Sequence, residues 1–365
     1  MKIGILTQPL KYNYGGVLQN YALQKVLIDM GHDVITIDQK ERIYLKYHFV
    51  KALSAIKTLL FKLLGRGQNR KYPETKRSEA KKGRSILDFT DNNIYHTTTF
   101  KSSNKIRRYI MTRKFDAIVV GSDQVWRPRF NQDVLLNYLD GLEDISLRRI
   151  AYAVSFGVDE WEYNKQQTRE AKPLIHLFDF VGVREASGII LCKEFLEYDN
   201  AQLVLDPTLL LEREDYEKLI EMKYNNIEKF LLTYILNKTT LSCKTIENVA
   251  TTRGLSVKSV AHGTGLYPSI ETWLSGFMNA SFVVCDSFHA VAFSIIFNKE
   301  FVVLGNKGRG LTRIANILSL FNLSDRLITD INQTLPSTRI DWDVVNSIKK
   351  SMSIKSTSLL KRALS

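Results

Sequence analysis

The chain has 365 residues, 44% of them hydrophobic, and 51 Lys and Arg against 38 Asp and Glu, a formal net charge of +13. That length exceeds what one hydrophobic core usually serves, so two domains are expected, and the absence of low-complexity tracts argues against long disordered segments. No run of roughly 18 uncharged apolar residues could form a transmembrane helix, MKIGILTQPL turns polar too early for a signal peptide, and Cys192, Cys243 and Cys285 lack CxxC spacing, which excludes a disulfide framework or zinc site and suggests buried thiols in a reducing cytoplasm.

In chain order, Lys2 to Thr7 is a short β-branched strand, Val17 to Met30 carries apolar residues at helical spacing and stops at Gly31, and Asp33 to Asp38 is a second strand. Buried strands recur at Ala117 to Val120, Ile150 to Val154, Phe180 to Val183 and Leu203 to Leu205. The rhythm restarts after Tyr216, with strands at Phe230 to Ile235, Ser256 to Val260, Phe282 to Cys285 and Phe301 to Leu304. Strands alternating with helices predict parallel sheets covered on both faces. Two such sets, joined near residues 206–216, predict an α/β protein of two Rossmann-like domains facing across a cleft. The expected division is 1–212, 213–345 and a C-terminal tail or helix at 346–365.

One segment breaks the rhythm. Between Lys40 and Arg84 stand fourteen Lys and Arg against Glu41, Glu74 and Glu79, a local balance of +11. Leu45, Phe49, Leu53, Ile56, Leu60 and Leu63 share one helical face, and Lys46, Lys51, Lys57 and Lys62 project from the other. A cationic amphipathic insertion suits an anionic membrane surface; an ordinary surface helix packed on its own domain has the same pattern. Nucleic acid is a poorer partner, because no recognisable motif with interleaved aromatics accompanies the charge.

Ligands in open α/β sheets bind beyond the carboxyl ends of the strands. Asn13-Tyr14-Gly15-Gly16-Val17-Leu18-Gln19-Asn20 follows the first strand. Its glycines permit close approach of backbone to ligand and the helix beyond favours anions, although a tight βα turn needs the same residues. It matches neither the dinucleotide fingerprint nor the P-loop. Gly121-Ser122-Asp123-Gln124-Val125-Trp126 suits a sugar, whose hydroxyls seek polar groups and whose C–H face seeks an aromatic plane. An Asp cap beside a packed Trp is the structural alternative. Ala151 to Gly157 would edge the same cleft.

Arg184-Glu185, directly after a strand, offers a planar fork for carboxylate or phosphate, or an ion pair with a neighbouring acid. Asp206-Pro207-Thr208 is expected as a hinge-side turn. Asp286-Ser287-Phe288-His289 interrupts two apolar runs, where an imidazole could give and take protons near neutral pH. The glycine-rich stretch from Gly305 to Gly310, bearing Lys307 and Arg309, is a candidate phosphate grip.

NYGGVLQNYAL, GSDQVW, AYAVSFG, VGVREASG, LDPTLLL and CDSFHAVAFSIIFNKEF, in this order, resemble the polysaccharide pyruvyl transferase family over about residues 2 to 320. The resemblance implies a GT-B-like pair of Rossmann domains. It also implies transfer of the enolpyruvyl group of phosphoenolpyruvate to a sugar diol, giving a cyclic ketal and phosphate. On that basis His289 is expected to be the general acid/base. Arg184, Ser287, Lys307 and Arg309 are expected to bind the donor, and Asn13, Tyr14, Gly15, Gly16, Gln19, Asp123, Gln124 and Trp126 the acceptor. Many members have Arg-Leu-His where this chain has Ser287-Phe288-His289, which leaves Lys307 or Arg309 to replace the arginine.

No metal or cofactor is expected beyond phosphoenolpyruvate as donor substrate. The implied acceptor is a polyprenyl-diphosphate-linked oligosaccharide, with a galactose-type residue as the expected diol, for capsule or exopolysaccharide. The enzyme is therefore expected to be cytoplasmic and peripheral on the inner face of the bacterial plasma membrane, docked through residues 40–84. Homo-oligomerisation is left open. The rival functions are a GT-B glycosyltransferase using a nucleotide sugar, and a glycan-binding scaffold without catalysis.

Overall fold

The computed structural model describes residues 1–40, 60, 76–131, 133–220, 228–263, 265–305 and 311–365. Most of the basic segment, and Lys307 and Arg309 with it, lies outside the described residues.

Strands β1 (Lys2–Leu6), β2 (Asp33–Thr36), β3 (Ala117–Val120), β4 (Arg148–Val154), β5 (Phe180–Val183) and β6 (Gln202–Leu203) form one sheet in the order β2-β1-β3-β4-β5-β6. Strands β7 (Phe230–Tyr234), β8 (Ser256–Ser259), β9 (Phe282–Cys285), β10 (Phe301–Leu304) and β11 (Leu327–Ile328) form a second, ordered β11-β10-β9-β7-β8. Every pairing is parallel, Ile3 opposite Val34 and Ala117, Leu232 opposite Val283 and Lys258. Parallel strands covered on both faces must be apolar on both, and β3, β5, β9 and β10 are buried at every residue. The short β11 has no periodic signal of its own; it forms because β10 offers an edge.

In each sheet the strand order reverses once, between β1 and β3 and between β7 and β9. Chain leaving those strands diverges to opposite faces and opens a crevice at their carboxyl ends. The loops after β1 and β3 carry Thr7–Asn13 and Gly121–Gln124, and the loop after β9 carries Asp286–Ser287. All three polar clusters therefore sit at a reversal point.

The first helix, Tyr14–Asp29, starts three residues earlier than its apolar spacing predicts, so Gly15 and Gly16 lie in its first turn. The Phe288–Ile296 helix is buried on all sides, as its uniformly apolar sequence requires. The last helix, Trp342–Leu364, is continuous across the expected tail boundary at 346. It runs back over the first half, where Ser356 Oγ accepts from the Leu205 amide at 3.0 Å and Lys349 Nζ meets Glu212 at 2.7 Å. Cys192 and Cys285 are buried, whereas Cys243, expected to be buried, is exposed. No described helix is long and apolar enough to cross a membrane.

Candidate active site

Asp206, just after β6, is a junction. Its Oδ1 accepts from the Thr208 amide at 3.0 Å and from Thr208 Oγ1 at 2.7 Å, and Oδ2 accepts from Arg184 Nη1 at 2.7 Å. Arg184 extends its other nitrogens to Asp123 Oδ1 at 3.0 Å and Glu185 Oε1 at 3.2 Å. Its guanidinium also lies 4.4 Å from the ring centroid of Phe288, on the second half of the chain. Three carboxylates thus occupy the fork that was expected to face an anionic donor. Burial alone would penalise these charges, but pairing outweighs it. Arg184 is held above the usual guanidinium range, and Asp206 and Asp123 below the usual carboxylate range.

His289 stands over the same cluster. Its Nε2 lies 3.7 Å from Asp206 Oδ2, too far for a hydrogen bond, and this buried atom has no other partner. The residue is only 7% exposed. Gly15 supplies the opposing wall: a Cβ built there would fall 2.0 Å from His289 Nδ1 and 2.4 Å from Cγ. The glycine of the NYGG stretch is required by the imidazole packed against its Cα, not by turn geometry. Asp286, directly after β9, accepts from the Leu236 and Asn237 amides at 2.7 and 2.9 Å. It clips the loop after β7 to the loop after β9 and so fixes the entry to the helix that carries His289. Ser287 is the N-cap residue of that helix, without a side-chain cap bond.

A cavity of about 280 Å³ opens beside this cluster. Asn13, Asp123 and Gln124 line it, with Gln8, Lys11 and Phe130 among the rest. All its described walls come from residues 8–137, so it belongs to the first sheet's reversal point and is not shared across the two halves as expected. Asp123 links the two places, lining the cavity and bonding Arg184.

Four other expected acceptor residues turn away from it. Trp126 is fully buried, stacked 4.6 Å from Tyr138, with Nε1 donating to the Asn137 carbonyl at 2.9 Å. Tyr14 is buried against Trp273 and donates its hydroxyl to the Pro268 carbonyl at 2.7 Å, a strut between the halves. Gln19 Oε1 accepts from the Ser122 amide and hydroxyl at 3.1 and 2.7 Å, holding the loop after β3 in shape. Gly16 is buried in the helix's first turn. The reason is common to Trp126, Tyr14 and Gln19: a side chain beside a site is as useful for holding the structure around it as for touching a ligand.

Two groups escaped the sequence reading. Arg313, on the Leu311–Leu320 helix, brings Nη1 to 4.0 Å from Asp123 Oδ1, and burial together with the nearby Arg184 pushes its guanidinium down to about 10. From the same helix Asn316 Oδ1 accepts from the Ala186 amide at 3.0 Å and covers the helix N-terminus that follows Arg184. Neither stands in a motif; both are brought in by packing of the second half on the first. Among the described residues no His, Cys, Asp and Glu cluster could hold a metal ion.

A family model described as polysaccharide pyruvyl transferase matches residues 13–308. The chain belongs to that family. It is therefore a transferase of the kind that pyruvylates polysaccharides. No match to a curated protein was found. Among solved structures, the glycotransferase of kitacinnamycin is 10% identical with a TM-score of 0.50, covering 100% of this chain and 99% of its own. A UDP-GlcNAc 2-epimerase from Neisseria meningitidis is 8% identical with a TM-score of 0.51, covering 100% and 99%. At such identity the likeness concerns fold alone. The transferase shares the GT-B-type arrangement of two parallel α/β sheets.

Proposed function

We propose that this transferase moves the enolpyruvyl group of phosphoenolpyruvate onto a diol of a galactose-type residue in a lipid-linked surface polysaccharide precursor, releasing phosphate. The observation that carries the proposal is the placement of His289: an imidazole on the second half of the chain, seated between Gly15 and the buried Asp206 of the first. Asp206, already anionic and held by Arg184, would stabilise the imidazolium at 3.7 Å and orient the ring.

The imidazolium would give its proton to the methylene carbon of the donor, making the methyl group. The first sugar hydroxyl then adds to the neighbouring carbon and its proton returns to the imidazole. The second hydroxyl forms the other C–O bond while the C–O bond to phosphate breaks, and its proton leaves with phosphate. Arg184 already serves three carboxylates, so its role here is to hold Asp206 and Asp123 in place. Arg313, whose side chain is 13% exposed beside that cluster, would help bind the donor's negative charge along with Lys307 and Arg309. The basic 40–84 segment would keep the enzyme on the anionic inner membrane face, where such precursors are carried.

The deciding experiment incubates the protein with phosphoenolpyruvate and a galactoside and follows phosphate release and ketal formation. His289→Gln should abolish both. Turnover of a nucleotide sugar with none of phosphoenolpyruvate would replace the proposal with glycosyl transfer.

A further inference from the structure

The acceptor side of this chemistry lacks the aromatic plane that Trp126 was expected to give, because Trp126 is core. Phe130 stands where that plane is needed. Among the described residues it is the only aromatic side chain lining the 280 Å³ cavity, and at 54% exposure it is an unusual apolar surface for a residue with no core role.

Its setting is rigid. The Arg127 guanidinium lies 5.1 Å from the ring centroid, and more than half of the residue remains exposed. Arg127 is itself buried and held by both oxygens of Glu162, at 2.9 Å each. Asn131 Nδ2 donates to the Gln124 and Arg127 carbonyls at 2.8 and 3.0 Å, and Gln8 Nε2 donates to the Gln124 carbonyl at 2.9 Å. The loop bearing Phe130 is thus fastened at both flanks before any ligand arrives, which lowers the ordering cost of binding.

A second observation points to a hydroxyl-rich occupant. Asn137, 2% exposed and lining the same cavity, donates Nδ2 to the Val125 carbonyl at 2.9 Å, yet its Oδ1 has no partner. A buried acceptor left unpaired is destabilising unless something donates to it. Asn13, Asp123 and Gln124 add further polar groups on the same walls. The volume is at the lower end of small-molecule sites, about 300 Å³, enough for one ring and not for an extended chain.

We infer that Phe130 is the stacking platform for the acceptor's terminal hexopyranose, with Asn137 and Asp123 accepting hydrogen bonds from its hydroxyls. The inference rests on the pyruvyl-transfer proposal for the identity of the reaction, but sugar binding can be tested without turnover.

Saturation-transfer NMR with methyl β-galactoside reads both affinity and the contacted protons. In the wild-type protein the C–H protons of one sugar face should receive the strongest transfer. Phe130→Ala should weaken binding about tenfold, in keeping with loss of one aromatic contact, and Phe130→Trp should restore it. In kinetics Phe130→Ala should raise the galactoside KM and leave the phosphoenolpyruvate KM unaltered. Unchanged galactoside affinity in Phe130→Ala, or no binding by the wild type, overturns the inference. Binding that depends on Phe130, without any phosphate release from phosphoenolpyruvate, would sustain the platform and count against the reaction instead.

Discussion

Replacing Gly15 by Ala tests the His289 seat most directly. The new methyl carbon would lie 2.0 Å from Nδ1, 2.4 Å from Cγ and 2.7 Å from Cε1. Restoring an ordinary 3.4 Å contact requires the ring to move about 1.4 Å from Nδ1. The imidazole cannot make that move toward Asp206, already 3.7 Å from Nε2, without closing on a carboxylate tied to Arg184. A misplacement near 1 Å at a catalytic group typically costs about a hundredfold in rate. Folding should suffer less, because overpacking of about 1–3 kcal/mol is partly offset by the ~1 kcal/mol that Ala gains over Gly in a helix. The expected outcome is a kcat about a hundredfold lower with a modest change in unfolding midpoint. Phosphate-release kinetics, urea denaturation and the imidazole resonances of His289 measure the three quantities. Wild-type kcat together with an unmoved His289 resonance in Gly15→Ala would refute the packing argument.

Other consequences follow from the charge cluster and the basic segment. Arg184→Gln should lose roughly 3–5 kcal/mol in denaturant unfolding, because it strands Asp123, Asp206 and Glu185 in the interior. Lys at 184 should rescue little of this, since a single ammonium cannot span three partners. The carboxyls of Asp206 and Asp123 are held below their unfolded value of about 3.9, so the stability they contribute is present above that pH and lost as pH falls through the lower folded values. Asp206→Asn should accordingly flatten the acid limb of the stability profile below about pH 4, as followed by thermal melts; an unchanged limb would contradict the linkage. Arg313→Gln should raise the KM for phosphoenolpyruvate more than it lowers kcat, and equal effects on both would argue against a donor-binding role. Reversing the charge of Lys46, Lys51, Lys57 and Lys62 should abolish co-sedimentation with anionic vesicles, each cation being worth about 1 kcal/mol at such a surface. Equal pelleting of the variant would remove the membrane from the picture.

The strands were legible because a parallel sheet buried on both faces demands short continuous apolar runs, as in Ile118-Val119-Val120 or Val283-Val284-Cys285. The clusters at the strand ends were legible too, since polar residues between apolar elements mark the loops where a site can be built. What each polar side chain does there was not. Arg184, Trp126 and Gln19 stand in motifs beside the site, but whether such a residue meets a ligand, an acid or a loop depends on groups outside its own motif, 22 positions on for Arg184 and Asp206 and 103 for Gln19 and Ser122. The carboxylate of Asp206 decides Arg184, the ring of His289 decides Gly15, and Arg313 reaches Asp123 only because the second sheet packs on the first. Local patterning reports the periodicity of burial along one segment; the partner across an interface leaves no periodic trace, so His289 and Arg313 join the first half's charge cluster only where the two halves meet.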